Sequence, residues 1–350
     1  MGAVTPAIQQ TALSRPIPLG TSGGNINSLI KSKKGKVTGC FSGTLASMVQ
    51  DSNDIQYVLS NNHVIANQNK AKPGQLIVQP GLVDVECVQA SSNAVAALSR
   101  KVKLKFGGGK NTVDAAIAEV DPGDVSPEIL FIGEIASSVV GAPTIGMAVQ
   151  KMGRTSCITT GIVAALDANV TVNYSDNPKK PKLAKFVNQI LVTGSTETPV
   201  FSQLGDSGSL IVTENDCPQA VALLFAGFSN GSTTIANPIS EVLSKLDVSM
   251  VGTCTPPPAS DTAQADVLSA NVGMSKEVVA SAKAVRDRHE DALMSIPGAV
   301  GTAVAAGDQP GQAAIEVFVK KLTPQVQDAA PKEVEGLPVK LIESGEAVAY

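Results

Sequence analysis

Three short segments of the chain carry side chains that can act together as a nucleophilic site. Tyr57-Val58-Leu59-Ser60-Asn61-Asn62-His63-Val64-Ile65 presents a histidine at the end of an apolar run. Asn111-Thr112-Val113-Asp114-Ala115-Ala116-Ile117 embeds an acid in a second apolar run. Gly205-Asp206-Ser207-Gly208-Ser209 sets a serine between glycines, directly before Leu210-Ile211-Val212. A serine hydroxyl is a weak nucleophile near neutral pH and needs an adjacent base. Histidine, with an ordinary pKa near 6.5, supplies one. A carboxylate on the other ring nitrogen fixes the tautomer and stabilises the imidazolium. Singly, each residue has a plainer reading: a packing histidine, a turn-anchoring aspartate, a chance loop. Their order, His63, Asp114, Ser207, favours a site. Asp84, in an alternating Val-Asp-Val-Glu-Cys run, reads as part of a solvated face, and Asp121, beside Pro122, as a turn residue; both are fallback acids.

Composition narrows the alternatives. Two histidines, His63 and His289, and no Cys-x-x-Cys pair leave no metal site of several His or Cys ligands, so neither metal nor cofactor is expected. Acidic residues outnumber basic ones, 31 to 27, which argues against a nucleic-acid-binding face. Three Tyr, eight Phe and no Trp make base-stacking platforms unlikely. Apolar runs such as Val221 to Phe228 are too short to span a bilayer, so no membrane partner is expected. The N-terminus lacks the pattern of a signal peptide, and five irregularly spaced cysteines (Cys40, Cys87, Cys157, Cys217, Cys254) read as reduced thiols. Both point to a cytoplasmic protein. Gly107-Gly108-Gly109-Lys110-Asn111 lacks the Ser or Thr of a phosphate loop and reads as a hairpin loop. Lys31, Lys33, Lys34 and Lys36 read as a solvated loop.

The elements that must hold these residues are mostly short strands. Val37–Val49 and Ile55–Ile65 flank Asp51-Ser52-Asn53-Asp54, a hairpin signal, because Asp, Ser and Asn side chains bond the local backbone. Further β-type runs continue to Phe228, punctuated by Gly, Pro, Asn and Asp, as in a barrel or sandwich. Ser91–Leu98 reads as a short helix and Pro238–Leu246 as a closing helix. The composition then changes: Thr253–Ser275, with Pro256-Pro257-Pro258, reads as a linker. Beyond it, Val278, Ala282, Val285, Leu293 and Ile296 form one stripe of a helix over Lys276–Met294. Strands follow at Ala299–Ala305, Ala313–Lys320 and Leu337–Ile342, giving a helix packed on a three-stranded sheet that is expected to fold on its own.

Taken with Gly43-Thr44-Leu45 ahead of the histidine segment, the three motifs resemble those of the chymotrypsin/trypsin superfamily of serine peptidases over roughly residues 36–250. The wording around Ser-Asn-Asn-His-Val resembles bacterial and plant-type intracellular members. The resemblance implies two six-stranded β-barrels with a His63, Asp114, Ser207 triad in the cleft between them. It also implies an oxyanion hole from the backbone N–H groups of Gly205 and Ser207, and a protein or peptide substrate. Six residues before the nucleophile, at the base of the family's primary pocket, stands Phe201 rather than an acid, so capture of Arg or Lys is not implied. Phe225-Ala226-Gly227 resembles the strand that forms the pocket wall and pairs with the substrate, and an apolar or small side chain is expected in the pocket.

Two departures matter. Val64 follows the histidine where secreted members have a cysteine, so the family's disulfide there cannot form and Cys40 is unpaired in that sense. No activation-cleavage motif stands near the start, so Asp206 is expected to have a partner other than a freshly cut N-terminus; the sequence does not name it.

The reading is therefore an N-terminal extension (1–35), a first barrel (36–125), a second barrel (126–250), a Pro-rich linker (251–275) and a small α+β domain (276–350) available for partner or oligomer contacts. The expected function is a serine endopeptidase. Two alternatives stand beside it: a catalytically silent scaffold that only binds protein, and an esterase using Ser207, Asp247 and His289, whose elbow motif is spoiled by Ser209.

Overall fold

The computed structural model describes residues 7–121, 123–175, 177, 179–256 and 274–350. The protein is mainly β, with two barrels of the chymotrypsin type followed by a helix-on-sheet unit. In the first barrel the strands run in the spatial order Ser249–Met250, Ser47–Gln50, Gln56–Ser60, Ala116–Val120, Ala94–Lys101, Leu76–Val78, Thr21–Asn25, Gly43–Leu45. Gly43–Leu45 and Ser47–Gln50 are separated only by Ala46, so the path returns on itself. The expected hairpin is present: the Asp51 carboxylate accepts N–H bonds from Asn53 (2.9 Å) and Ile55 (3.2 Å), closing the turn between Ser47–Gln50 and Gln56–Ser60.

The second barrel is a closed ring of six strands. Leu183–Gly194, Thr234–Pro238, Ala220–Phe228, Leu210–Thr213, Ala148–Gly153 and the long strand Cys157–Asn173 pair in turn, and the last returns to the first. Ala220–Phe228 is buried along its whole length, as the central strand of a ring lined on both faces must be. The helix Ile239–Leu246 follows, burying Ile239, Val242, Leu243 and Leu246.

Several expectations change. Ser91–Leu98 is not a helix: after a single 3-10 turn, Ser91–Asn93, the chain runs as the strand Ala94–Lys101. Ladder partners on both sides, Leu76–Val78 and Ala116–Val120, override the helix preference of its alanines. The histidine segment does not stay extended either. It ends in a one-turn helix, Asn62–Ile65. Asp84 lies in a 3-10 turn, Leu82–Val85, rather than on a solvated strand, and its side chain pairs with Arg154. The five cysteines are not all thiols. Folding brings Cys40 to Cys87 and Cys217 to Cys254, with Cα atoms 5.6 and 5.8 Å apart, and both pairs are disulfide-bonded; Cys157 is free. Separations of 47 and 37 residues gave no sign of either pairing. The cytoplasmic expectation loses the support it drew from reduced thiols.

The C-terminal unit forms the elements expected of it: the helix Lys276–Met294 packs on Ala299–Ala306 and Ala313–Val319, with Leu337–Glu343 parallel to the latter. Its N-cap is Ser275, which accepts from the Val278 N–H at 3.4 Å. The unit is joined to the second barrel by main-chain pairing, because Ala299–Ala306 runs antiparallel to Cys157–Asn173 from Ala165↔Ala305 to Val170↔Gly301. Two charged residues, Arg286 and Glu290, complete the helix's buried face between Ala282 and Leu293. Arg286 donates to the Asp167 carbonyl of the barrel strand at 2.7 Å, and Thr302 donates to Glu290 at 2.6 Å. The chain between Pro256 and Met274, most of the expected linker, lies outside the described residues. No helix among the described residues is long and apolar enough to cross a membrane.

Candidate active site

The first barrel carries the candidate base, His63, and the candidate acid, Asp114. Asn61 is extended and the next four residues turn as a helix, which aims His63 across the cleft. Its Nδ1 lies 2.6 Å from Asp114 Oδ2, and its backbone N–H donates to Asp114 Oδ1 at 3.1 Å. Asp114 is fully buried and held from every side. Asn61 Nδ2 donates to its carbonyl at 2.8 Å, and its N–H donates to Asn237 Oδ1 at 2.9 Å. Asn237 is fixed in turn by its bond to Gln189, 2.6 Å. The second barrel thus helps to place the acid of the first.

Tyr174 completes this network. Its hydroxyl donates to Asp114 Oδ2 at 2.6 Å and its ring meets His63 edge-on, centroids 5.7 Å apart. Burial first, then the Asp114 charge, pushes the Tyr174 pKa well above the ordinary 10, so the hydroxyl stays a neutral donor. For His63, burial alone would lower the pKa. The Asp114 charge and hydrogen bond, with a bond from Nε2 to the Tyr350 carbonyl (2.9 Å), outweigh it and leave the imidazole above its ordinary 6.5.

The second barrel supplies the serine. Gly205 and Gly208 have φ of +100° and +93°, a region that a side chain strains to enter, and this bends the chain sharply on both sides of Asp206-Ser207. Asp206 pins the turn. Its Oδ1 accepts from the N–H groups of Thr155 (2.8 Å) and Ser156 (3.1 Å), and its Oδ2 from Gln203 N–H (2.9 Å) and Ser156 Oγ (2.5 Å). The partner that the sequence did not name is Lys151, whose Nζ stands 3.5 Å from Oδ2, both side chains being inaccessible. Burial lowers the Lys151 pKa and the Asp206 charge opposes it. The N–H groups of Gly205 and Ser207 have no acceptor among the described residues. Ser207 is buried, and its hydroxyl donates to the Phe225 carbonyl at 3.0 Å.

The expected pocket residues divide. Phe225 contributes its carbonyl, while its ring packs inside the barrel on Phe186, centroids 4.5 Å apart. Ala226 and Gly227 present their backbone to the strand Ala347–Ala349. Phe201 is buried in the core with Val192 and Leu224, and Tyr350 packs against that cluster. Asp121 is exposed. His289 lies on the outer helix, bonded to Glu335 at 2.8 Å.

Tyr174, Lys151 and Asn237 were not legible as site residues. Tyr174 and Asn237 lie 60 and 123 positions from Asp114, and Lys151 lies 55 positions from Asp206. A cavity of about 690 Å³ opens beside His63, lined among others by Phe41, Val64, Arg154, Tyr174, Leu204 and Gly205.

No family model matches the chain, and no curated protein matches it. Solved structures of bacterial serine proteases of the chymotrypsin/trypsin type are similar to it over about two-thirds of its length. One is a glutamic-acid-specific serine protease with a histidine triad in substrate binding: 20% identity, TM-score 0.43, covering 67% of this chain and 100% of that one. Thermobifida fusca protease A shows 14% identity and TM-score 0.43, covering 68% and 99%. Cellulomonas bogoriensis chymotrypsin shows 17% identity and TM-score 0.39, covering 66% and 98%. At these values the double-barrel fold is read from the strand pairing itself.

Proposed function

We propose that the chain is a serine endopeptidase that hydrolyses peptide bonds through an acyl-enzyme formed on Ser207. His63 takes the hydroxyl proton and returns it to the leaving amine. Asp114 holds the tautomer, and the N–H groups of Gly205 and Ser207 receive the oxyanion. The observation that carries this reading is the contact of His63 Nδ1 with Asp114 Oδ2 at 2.6 Å, in a carboxylate with no exposed surface. A buried carboxylate bonded by a histidine, a tyrosine hydroxyl and a backbone N–H is costly to assemble unless it positions the ring. Hydrolysis of a peptide library by the Tyr350→Ala chain, with loss on adding Ser207→Ala or His63→Ala, supports the reading; full activity after His63→Ala overturns it.

One observation favours the silent-scaffold reading. The Ser207 hydroxyl donates to Phe225 rather than to His63, whose Nε2 is engaged by Tyr350. A side-chain rotation at Ser207 and release of Tyr350 separate this arrangement from a competent one. If the chain binds peptides but never turns them over after Tyr350 is removed, the scaffold reading stands.

A further inference from the structure

A peptide already lies in the cleft, and it is the chain's own. Ala347–Ala349 runs antiparallel to Ala220–Phe228, with Ala226 opposite Ala349 and Gly227 opposite Val348. Its other edge pairs in parallel with Val172 and Asn173. The Tyr350 N–H donates to the Phe225 carbonyl at 3.3 Å, and the Tyr350 carbonyl oxygen lies 2.9 Å from His63 Nε2. An extended peptide added to a sheet edge, with one side chain in a pocket, is a common mode of peptide capture.

The tyrosine side chain fits what surrounds it. A Cβ at position 227 would overlap the Tyr350 ring and hydroxyl, so the pocket mouth exists because Gly227 has no side chain. The ring packs against the cluster of Val192, Phe201 and Leu224, and the hydroxyl meets Ser202, which is itself bonded to Thr234. Burial, opposed by the Ser202 bond and aided by the Asp206 charge, pushes the Tyr350 hydroxyl up to about 12. A neutral ring with a polar tip is therefore suited to this pocket. A carboxylate would face the Asp206 charge, and an ammonium would find that carboxylate already paired with Lys151.

We propose that Ala347–Tyr350 occupies the cleft as the acyl half of a substrate would, so that the primary pocket takes a tyrosyl side chain and the C-terminal segment closes the site in cis. This rests on reading the cleft as a peptide-processing site. The segment is delivered by fastened chain: Ser229 N–H donates to the Glu346 carbonyl (2.8 Å), Glu346 N–H to Ser229 Oγ (3.0 Å), and Asn230 Nδ2 to the Glu343 carbonyl (2.9 Å). Tethering of this kind raises the local concentration to roughly millimolar or above, so even a weak peptide ligand fills its site. The cavity beside His63, walled by Phe41, Val64 and Leu204, leaves room for residues on the leaving side of a bound substrate.

The test is binding, which needs no turnover. A chain carrying Ser207→Ala and lacking residues 347–350 is titrated calorimetrically with N-acetyl-Ala-Val-Ala-Tyr and with the same peptide ending in Phe, Lys, Glu or Ala. Full-length Ser207→Ala with Tyr350→Ala serves as a second host should the deletion unfold, judged by circular dichroism. The Tyr peptide is expected to bind at least tenfold more tightly than the Lys, Glu and Ala peptides, with Phe between. Gly227→Val should abolish that binding in either host. Equal affinity for Tyr, Lys and Glu overturns the pocket assignment, and undiminished binding to a full-length chain with Tyr350 intact overturns closure in cis. Failure of the peptidase reading alone would leave the peptide affinities as expected and show only as absent hydrolysis in the chain with Ser207 restored.

Discussion

Lys151 Nζ stands 3.5 Å from Asp206 Oδ2 with neither side chain accessible to water. The ammonium comes from the strand Ala148–Gly153 inside the same barrel, so the carboxylate before Ser207 is satisfied without any new N-terminus. Lys151→Met leaves the buried Asp206 carboxylate its four hydrogen bonds but no counter-charge, and breaking a buried pair costs about 3–5 kcal/mol. Chemical denaturation should read a loss of that size. Active-site titration of chains with N-termini confirmed intact by mass spectrometry should succeed in the parent, once the cleft is opened, and fail in Lys151→Met. Titration only after N-terminal cleavage would restore a zymogen mechanism.

Tyr174 and His63 share the same oxygen of Asp114. Tyr174→Phe removes one hydrogen bond to a charged acceptor, worth about 1.5–3 kcal/mol, and leaves the histidine bond in place. Stability should fall by roughly that amount and turnover modestly. Asp114→Asn changes the tautomer and should lower kcat by about 10⁴. If Tyr174→Phe proves as damaging to kcat as Asp114→Asn, the tyrosine acts on the reaction more directly than the geometry implies.

How much of this was legible in the sequence follows from how far each signal reaches. The triad candidates were visible because each sits in a dense local motif, and the helix Lys276–Met294 because its apolar residues repeat along one face. Tyr174 and Lys151 had no such motif: a tyrosine ending a long strand and a lysine within one look like surface residues until the ring of strands closes. Ser91–Leu98 misled because alanine is a helix former until ladder partners claim its backbone. The disulfides escaped for the same reason, their halves being brought together only by tertiary folding. The occupant of the cleft was invisible, since Ala-Val-Ala-Tyr carries no motif and matters only through its place beside Gly227.

His63 faces the Asp114 carboxylate, which also accepts from the neutral Tyr174 hydroxyl and the His63 backbone N–H, and it faces the Tyr350 carbonyl; Lys70 and Arg154 line the adjoining cavity, and Arg154 is paired with Asp84. Its pKa in the closed form lies above 6.5. A raised pKa contributes stability that is fully present below the unfolded value and is lost as pH rises through the folded one. The bond from Nε2 to the Tyr350 carbonyl needs a proton on that nitrogen, so through this contact the closed form is favoured in acid, whereas hydrolysis needs neutral His63. The profile of kcat/KM should rise with a midpoint above 6.5, and deletion of residues 347–350 should move that midpoint down. An unchanged midpoint would separate the Tyr350 carbonyl from the base.

The C-terminal unit was expected to fold alone, but its first strand completes a ladder with Cys157–Asn173. Leu293, 1% exposed on the buried face of the helix Lys276–Met294, should cost about 2–5 kcal/mol on change to Ala. Because the sheet is continuous, calorimetry of the full chain should show that loss in a single transition that includes the second barrel. Two separate transitions, with only one displaced by Leu293→Ala, would show that the units unfold independently.

The most direct measurement treats the Tyr350→Ala chain with a fluorophosphonate at mildly alkaline pH and locates the adduct by peptide mass spectrometry. Ser207 pressed by a neutral His63 predicts one adduct, on Ser207, at a rate that falls to background in His63→Ala. A folded chain that takes no adduct, or one labelled equally well after His63→Ala, would contradict the nucleophile assigned here.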